Sequence, residues 1–507
     1  MKKALLLIPI LLAAGCATVR EARRAQETDA ERTLRWAETP FAAREGAVAM
    51  EELAAWARTN APAVVQARQD VVQAQIALRS VKAAFIPVVD GSVAYTYASQ
   101  NVDPHDTEWD GEGTWTGGLS LNWLLYDFGR TRASTRRAVA ALAAADRAER
   151  AAENGAVYGV RAACFALRRA EELHRVAVET SESYKLHRDQ TKDRFDVGAA
   201  MSYEVSKAEV DYQNALLSEI SASNAVETAR ASLALALGLA ENPRIELGDC
   251  AFPEMASDVD ALMAFAATNA PALAALRASA DAAKSYVDWT ICDLYPTLSF
   301  RLTFDARGDS SPLLWNYAAA PAVAQTLFSA GAKNRQIEAA VAQLRQARSK
   351  FAEAEQQLFN QVLTATLSAD RARKSLSVAE AALAAAHENF DVVSNRFEVG
   401  KASALERTDA QVALSSAEAA VVTARYDLLD TQILIARLVG YATGAEAAEV
   451  ESHAETAEVE SHAENAESAE PGPAGGGSGE AEPPPVEPHA EAAEVESHAE
   501  TAEAVEN

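Results

Sequence analysis

The feature that most constrains this chain is a short turn that occurs twice. Residues 194–198 read RFDVG, and residues 396–400, 202 positions later, read RFEVG. Each copy lies between two long alanine-rich runs with few helix breakers, a pattern that favours helices. Gly198 and Gly400 can supply the positive φ angle that a chain reversal requires. The sequence therefore predicts two long helical hairpins and an internal duplication.

Four further residues repeat at nearly the same spacing and mark predicted junctions between strands and helices. Pro87 and Pro296 are 209 positions apart, whereas Gly129 and Gly331 are 202 positions apart. The seven-residue difference falls between the proline and the glycine, where a loop tip tolerates deletion. We therefore expect a first repeat at 47–242, a linker at 243–258 and a second repeat at 259–441.

Between each proline and glycine the apolar residues alternate with a period of two. This pattern predicts strands at about 88–97, 115–125, 297–305 and 315–327, the last of them weak and broken by Pro321. Strands of about ten residues with one apolar face match outer-membrane barrels, although a soluble sandwich alternates in the same way. Four strands cannot close a barrel alone. If they enter a bilayer, the chain must form oligomers.

The N-terminus predicts export and a lipid anchor. Lys2 and Lys3 precede an apolar run at 4–12 and small residues before Cys16. Residues 1–15 therefore read as a signal peptide, and Cys16 resembles the acylated, palmitate-bearing cysteine of bacterial lipoproteins; the alternative is an ordinary signal with an incidental cysteine. Ala17 stands where aspartate would disfavour outer-membrane sorting. Residues 16–46 are expected to form an irregular, lipid-anchored segment.

The charge of the chain is concentrated at its C-terminus. The net charge is −27, but 18 glutamates and no lysine or arginine lie in 445–507, which leaves about −9 for the rest. This balance argues against nucleic-acid binding. Residues 442–507 are predicted to be an acidic disordered tail whose four histidines could bind metal only weakly. The remaining cysteines lack metal-ligand spacing, so we expect no cofactor and no dedicated metal site.

The doubled order of helix, proline, two strands, glycine, very long helix, Val-Gly turn and return helix resembles the TolC-type outer-membrane efflux channel family, over about residues 47–441. The resemblance implies a mainly α fold with a small membrane β-barrel. Three protomers would build a twelve-stranded barrel and a long α-helical periplasmic tunnel of twelve helices. The implied function is passive export from an outer-membrane position, driven by an inner-membrane efflux pump through a periplasmic adaptor protein. The lipid anchor resembles that of drug- and metal-efflux members.

The resemblance also assigns roles to individual residues. Val-Gly turns form the adaptor-docking tips in the family, and Val197, Gly198, Val399 and Gly400 match them, although glycine would be needed for the reversal in any case. In the family, acidic residues lie at the periplasmic gate, and Glu406, Asp409 and Glu204 match those positions.

The structural reading of the acids is compatible with the gate. Glu406 also fits a capping box with Ser403. The basic partner that the family places opposite Glu204 is replaced here by Ala402, and Lys401 or Arg407 could substitute for it. Lys207 stands where the second repeat has Asp409, so only the second turn carries the acidic pair.

Other classes of protein fit the sequence less well. A type I protein secretion channel would share the same pattern. A periplasmic adaptor or coiled-coil scaffold lipoprotein would have long helices but a single helical hairpin and a lipoyl-like domain. An enzyme is disfavoured because the sequence has no nucleophile elbow, metal-spaced histidine set or phosphate loop.

Overall fold

The computed structural model describes residues 39–41, 46–99, 111–248, 250–255, 258–309 and 313–441. The predicted signal peptide, Cys16, most of the predicted anchored segment and the predicted acidic tail therefore lie outside the described residues. The described part is mainly helical, as expected, with one small sheet.

The elements follow one order twice: two helices, two strands and two long helices. In the first half they are α1 (Met50–Asn60), α2 (Pro62–Lys82), β1 (Val88–Ser99), β2 (Gly111–Tyr126), α3 (Arg130–Asp196) and α4 (Ser202–Ala236), with a 3-10 turn (Ala83–Phe85) after α2. In the second half they are α5 (Val259–Asn269), α6 (Pro271–Cys292), β3 (Thr297–Gly308), β4 (Leu314–Ala324), α7 (Ala332–Glu398) and α8 (Ala404–Val439).

The four strands form one antiparallel sheet in the order β1-β2-β3-β4. Its central pairing joins the two halves of the chain, with Leu121 of β2 opposite Leu302 of β3. Opposite residues share a face, so the alternating apolar side chains make one continuous surface. That surface is open in the protomer: Val93 is 78% exposed, Tyr97 67% and Val323 71%. An apolar surface of this kind marks a contact with lipid or with another protein.

Neither outer edge of the sheet has a strand partner within the described part of the chain. Strands β1 and β4 therefore each present a row of unpaired backbone N–H and C=O groups. Such an edge is a template for pairing with another strand. Within the described residues the sheet therefore ends in two open edges.

Strand β4 differs from its prediction. It is continuous from Leu314 to Ala324 rather than broken at Pro321, which lies opposite Phe300. An edge strand tolerates proline because the missing N–H can face away from the neighbouring strand. β4 also ends three residues before the expected limit at Leu327, whose side chain is exposed.

Helices α3 and α7 dominate the molecule. Each has 67 residues, a length of about 100 Å at 1.5 Å per residue. Between the middle of the long helices and the Val-Gly turns, α4 packs on α3, α3 on α8 and α8 on α7. Helices α4 and α7 therefore form the outer edges of this part. Within the described residues no single helix has the length and apolar composition to cross a membrane, although α5 and α6, bent by 47°, pass that test as a pair.

Most of the buried large apolar side chains lie in one zone, where α1, α5 and the ends of α4 and α8 pack around the middle of the long helices. The most deeply buried of them include Leu53, Phe165, Leu167, Leu233 and Ile433. Away from this zone the buried positions are mainly alanine, as at Ala208, Ala215, Ala372 and Ala410. Small side chains let long helices approach closely without a thick core. The described long helices therefore pack side by side in a layer rather than around a thick core.

The four junction residues lie between strands and helices. Pro87 and Pro296 directly precede β1 and β3. Gly129 and Gly331 occupy the positions before α3 and α7, with φ angles of 93° and 76°. The residue before each glycine also has a positive φ, at Phe128 and Ala330, so both strand-to-helix bends use two consecutive left-handed residues.

One carboxylate ties the two bends together. Asp293, at the end of α6, accepts from Arg130 at 2.9 Å and also contacts Lys333. Arg130 and Lys333 lie in the first turns of α3 and α7, where positive charge opposes the helix dipole. The nearly buried carboxylate offsets both cations and joins the first turns of the two long helices to the end of α6.

Two glycines end the return helices. Gly238 has a φ of 74° and Gly440 a φ of 98°. A Cβ atom at Gly440 would lie 2.8 Å from the Asn269 carbonyl oxygen, and one at Gly238 would lie 2.7 Å from Pro62 Cδ. These helix ends therefore need glycine for both conformation and space.

Replacement of Gly440 by alanine should lower the free energy of unfolding by about 1–3 kcal/mol, because a left-handed non-glycine residue is strained and its Cβ meets backbone. The control is Gly155→Ala inside α3, where a Cβ meets nothing within 4 Å. It should raise stability by about 0.5–1 kcal/mol. Chemical denaturation followed by circular dichroism measures both, and equal effects of the two substitutions would contradict this account.

Candidate functional site

The two Val-Gly turns have the same backbone hydrogen bonds. In the first, Ala199 N donates to Arg194 O at 2.7 Å; in the second, Lys401 N donates to Arg396 O at 2.7 Å. This six-to-one bond is the Schellman ending of a helix, with the glycine in the left-handed region. Gly198 has a φ of 77° and Gly400 a φ of 73°.

The valine before each glycine projects into solvent. Val197 is 79% exposed and Val399 67%, and a Cβ at either glycine would meet nothing within 4 Å. An exposed valine beside an unobstructed backbone gives each turn a small apolar tip. The glycines are therefore needed for their φ angle rather than for close packing within the protomer.

Glu406 forms the predicted capping box at the start of α8. Ser403 N donates to Glu406 Oε2 at 3.0 Å, and Glu406 N donates to Ser403 Oγ at 3.2 Å. Glu406 and Asp409 are both exposed and lie three residues apart, on one face of the helix. The arrangement leaves two carboxylates open to solvent within two turns of the helix start.

At the start of α4, Glu204 makes only one of the two hydrogen bonds of the equivalent capping box. Met201 N donates to Glu204 Oε2 at 2.9 Å, whereas Met201 has no side-chain oxygen to return the bond. Lys207 follows one turn later in place of an acid. The two hairpins thus have the same backbone and different charges at their starts.

Phe397 joins the two turns inside the protomer. Its side chain is 5% exposed. The Arg194 guanidinium lies 4.3 Å from its ring centroid and that of Arg407 lies 5.5 Å away, while His187 contacts the ring edge at a centroid distance of 5.5 Å. Arg194 Nη2 also donates to the Phe397 carbonyl at 3.2 Å. Cation–π contacts of this kind are worth about 2 kcal/mol when desolvated.

The electrostatics of this cluster disfavour additional positive charge. Burial is the main cause that lowers the pKa of His187 from 6.5 to about 4, and the charges of Arg407, Arg194 and Lys207 add to it. Burial also lowers the pKa of Arg407. His187 is therefore neutral near pH 7.

The cluster is the part of the site that sequence reasoning missed. Arg407 was considered a substitute partner for Glu204, but it is buried against Phe397 and has no ion-pair partner among the described residues. The repeated helix pattern predicts that His187, Arg194 and Phe397 lie towards the ends of helices. It does not predict that their side chains contact one another. The available signal is that the two halves differ at the positions of His187 and Arg407, where the equivalent residues are Asn389 and Val205.

The described residues contain no group of three or more His, Cys, Asp or Glu side chains arranged to hold a metal ion. Among them Cys164 is buried, and Cys250 and Cys292 are half-buried. The chemistry that this end of the molecule offers is therefore packing, hydrogen bonding and exposed charge.

A family model described as outer membrane efflux protein matches residues 53–239 and 262–441, well over half of the chain. The chain belongs to the outer membrane efflux protein family. The two matched stretches fall on the two halves that have the same order of elements. The family and the structural neighbours are channels rather than enzymes.

The fold is similar to that of solved outer-membrane channels. The Campylobacter jejuni CmeC outer membrane channel has a TM-score of 0.69 at 16% identity, over 80% of this chain and 89% of that chain. A membrane protein from Pseudomonas aeruginosa has 0.67 at 20%, over 77% and 90%. The open state of the Neisseria gonorrhoeae MtrE outer membrane channel has 0.65 at 18%, over 77% and 88%. No curated protein gives a significant match.

The buried histidine predicts a pH effect. Between pH 6.5 and 4 the unfolded chain binds a proton at position 187 that the folded chain does not, so His187 lowers the free energy of unfolding as the pH falls through this window, by up to about 1.4 kcal/mol per pH unit. Asp430, whose pKa burial raises to about 6, contributes in the opposite direction, so the effect of His187 is measured as a difference between variants. His187→Phe keeps an aromatic contact with Phe397 and removes the titration. In thermal unfolding at several pH values, this variant should lose less stability than the wild type as the pH falls from 6.5 to 4.

The control for this experiment is His174→Phe on the same helix, outside the cluster, which should keep the wild-type slope. If His187→Phe and the wild type lose stability in parallel between pH 6.5 and 4, the buried histidine is not the cause.

Proposed function

We propose that three copies of this chain form a passive export channel in the outer membrane, the outermost part of a tripartite system coupled to an inner-membrane pump through a periplasmic adaptor. The unfinished sheet is the observation that carries the proposal. Four strands with an exposed apolar face cannot close, since the smallest membrane barrels have about eight strands. Three copies supply twelve, and pairing β4 of one with β1 of the next removes every edge that lipid would leave unpaired.

The long helices support a tunnel that continues the barrel. Each protomer contributes α3 and α7 at full length, with α2 and α4 or α6 and α8 beside them. If α2 and α4 share one position around the ring, and α6 and α8 share another, each protomer supplies four positions and three copies give twelve helices around one axis. We propose that residues 47–242 and 259–441 are duplicated repeats joined by a linker at 243–258, so that six similar steps complete the ring. Alanine at helix contacts permits the gradual curvature that a wide tube needs.

The N-terminal residues complete the localisation. We propose that residues 1–15 direct export and that Cys16 carries the acyl chains that hold the channel in the outer membrane while its helices extend into the periplasm. The acylated cysteine and the barrel would both anchor the channel in the membrane. Two anchors are stronger than one, since a single acyl chain alone binds a membrane only marginally.

The turns then lie at the periplasmic end. We propose that Val197, Gly198, Val399 and Gly400 contact the adaptor, supported by their exposed valines and identical backbone geometry. Glu406 and Asp409 are exposed on one face of α8, so three copies would place six carboxylates around the axis. Like charges so close attract cations and resist the passage of anions. Small drugs or metal ions are the proposed cargo.

Reconstitution tests the function directly. The protein extracted from outer membranes should be a trimer that forms ion-conducting channels in a planar bilayer. A soluble monomer without conductance would contradict the proposal and favour an adaptor or scaffold role. A channel that passes an unfolded secreted protein in cells, rather than small molecules, would favour type I secretion.

The acidic pair gives a sharper prediction. Glu406→Gln with Asp409→Asn removes six negative charges from the trimer and retains the hydrogen bonds of the capping box. Single-channel conductance should rise and block by trivalent cations should weaken, because cations no longer bind between the carboxylates and occlude the narrow end.

Glu204→Gln is the matched control, because it neutralises the equivalent acid of the first turn, beside Lys207. It should change block by trivalent cations much less than the double variant does. If the two variants change the block equally, the acidic pair of the second turn has no greater part in the gate than Glu204; if neither changes it, these acids do not form the gate.

A further inference from the structure

We infer that Phe195 is covered by a second copy of this chain, through the same arginine–phenylalanine contact that joins the two turns inside one protomer. The residues that cover it are Arg396 and Asn389 of the neighbouring copy. The inference deepens the proposed function, since it rests on the trimer and names the contact that closes its periplasmic end.

The inner contact is complete. Phe397 at the end of α7 is buried against Arg194 and His187 of α3, with the Arg194 guanidinium 4.3 Å from its ring centroid. The Phe397 carbonyl accepts from Arg194 Nη2. Side chain and backbone of one turn are thus both held by the other turn.

The equivalent set, 202 positions away, is open. Phe195, Arg396 and Asn389 correspond to Phe397, Arg194 and His187, and all three are exposed, Phe195 by 44%. Arg396 Nη2 reaches only the Lys401 carbonyl of its own turn, at 3.3 Å, and forms no ion pair within the described residues. The same three side-chain positions are therefore packed against one another in one turn and exposed to solvent in the other.

The order of the helices places the open residues on opposite edges. Within the protomer α3 packs against α8, and the equivalent step places α7 of one copy against α4 of the next. Arg396 and Asn389 lie on α7, one edge, and Phe195 lies in the hairpin with α4, the other edge. Repeating the internal step brings them together. An exposed aromatic face and an exposed guanidinium without a carboxylate partner are complementary.

The contact between copies has one cation fewer than the contact within a copy. Arg407 lies 5.5 Å from the Phe397 ring centroid, whereas its equivalent on α4 is Val205. Arg396 alone would stack on Phe195. The joint between protomers is therefore the weaker of the two kinds of joint around the ring, and the narrow end opens there first.

Cross-linking tests the contact in the assembled protein. In a background with Cys164, Cys250 and Cys292 replaced by alanine, the pair Phe195→Cys and Asn389→Cys treated with a short bis-maleimide should give linked dimers and trimers on denaturing gels. The matched pair His187→Cys and Phe397→Cys should link within one chain and remain monomeric. Each single-cysteine variant should give no ladder.

The outcomes separate this inference from the trimer itself. A trimer by native mass with no ladder from the 195/389 pair, or with an equal ladder from the single variants, overturns the contact and leaves Phe195 to an adaptor protein. A monomer by native mass overturns the proposed function as well.

A gain-of-contact variant tests the weaker joint. Val205→Arg supplies the missing second cation and should raise the temperature at which the trimer dissociates and lower the conductance. Unchanged dissociation and conductance, in a variant that folds normally by circular dichroism, would contradict the inference.

Discussion

The hydrogen-bonding capacity of a strand edge is the constraint on which the rest of this molecule depends. β1 and β4 have unpaired outer edges and adjoin a continuous exposed apolar face. An edge in hydrocarbon leaves backbone groups unsatisfied at a cost of several kcal/mol each, so such a sheet is stable there only when closed. In the proposed trimer, closure of the sheet fixes the number of copies, and the copies then fix where the helices that follow each strand must lie.

The helices transmit that geometry over about 100 Å. Two left-handed residues at each bend aim α3 and α7 away from the sheet, and Asp293 holds their first turns together through Arg130 and Lys333. Large apolar side chains gather in one zone, and alanine carries the packing elsewhere. At the far end a single pair of equivalent residues distinguishes the two turns. Phe397 is buried, whereas Phe195 is exposed.

Sequence reasoning located the elements well because each has a local cause. Alternation marks the strands, the absence of proline marks the long helices, and the positive φ of Gly198 and Gly400 marks the turns. The predicted break at Pro321 was wrong, because an edge strand tolerates a proline that would interrupt a central strand. The Phe397 cluster was out of reach, since which side chains meet across α3, α7 and α8 depends on helix rotation and not on any local pattern.

Hydrogen–deuterium exchange of the sheet amides in outer-membrane vesicles tests the central claim most directly. If three copies close a barrel, the outward amides of β1 and β4 should be as protected as those between β2 and β3. Rapid exchange confined to β1 and β4, with slow exchange in β2 and β3, would show that the edges stay open and would contradict a closed trimeric channel.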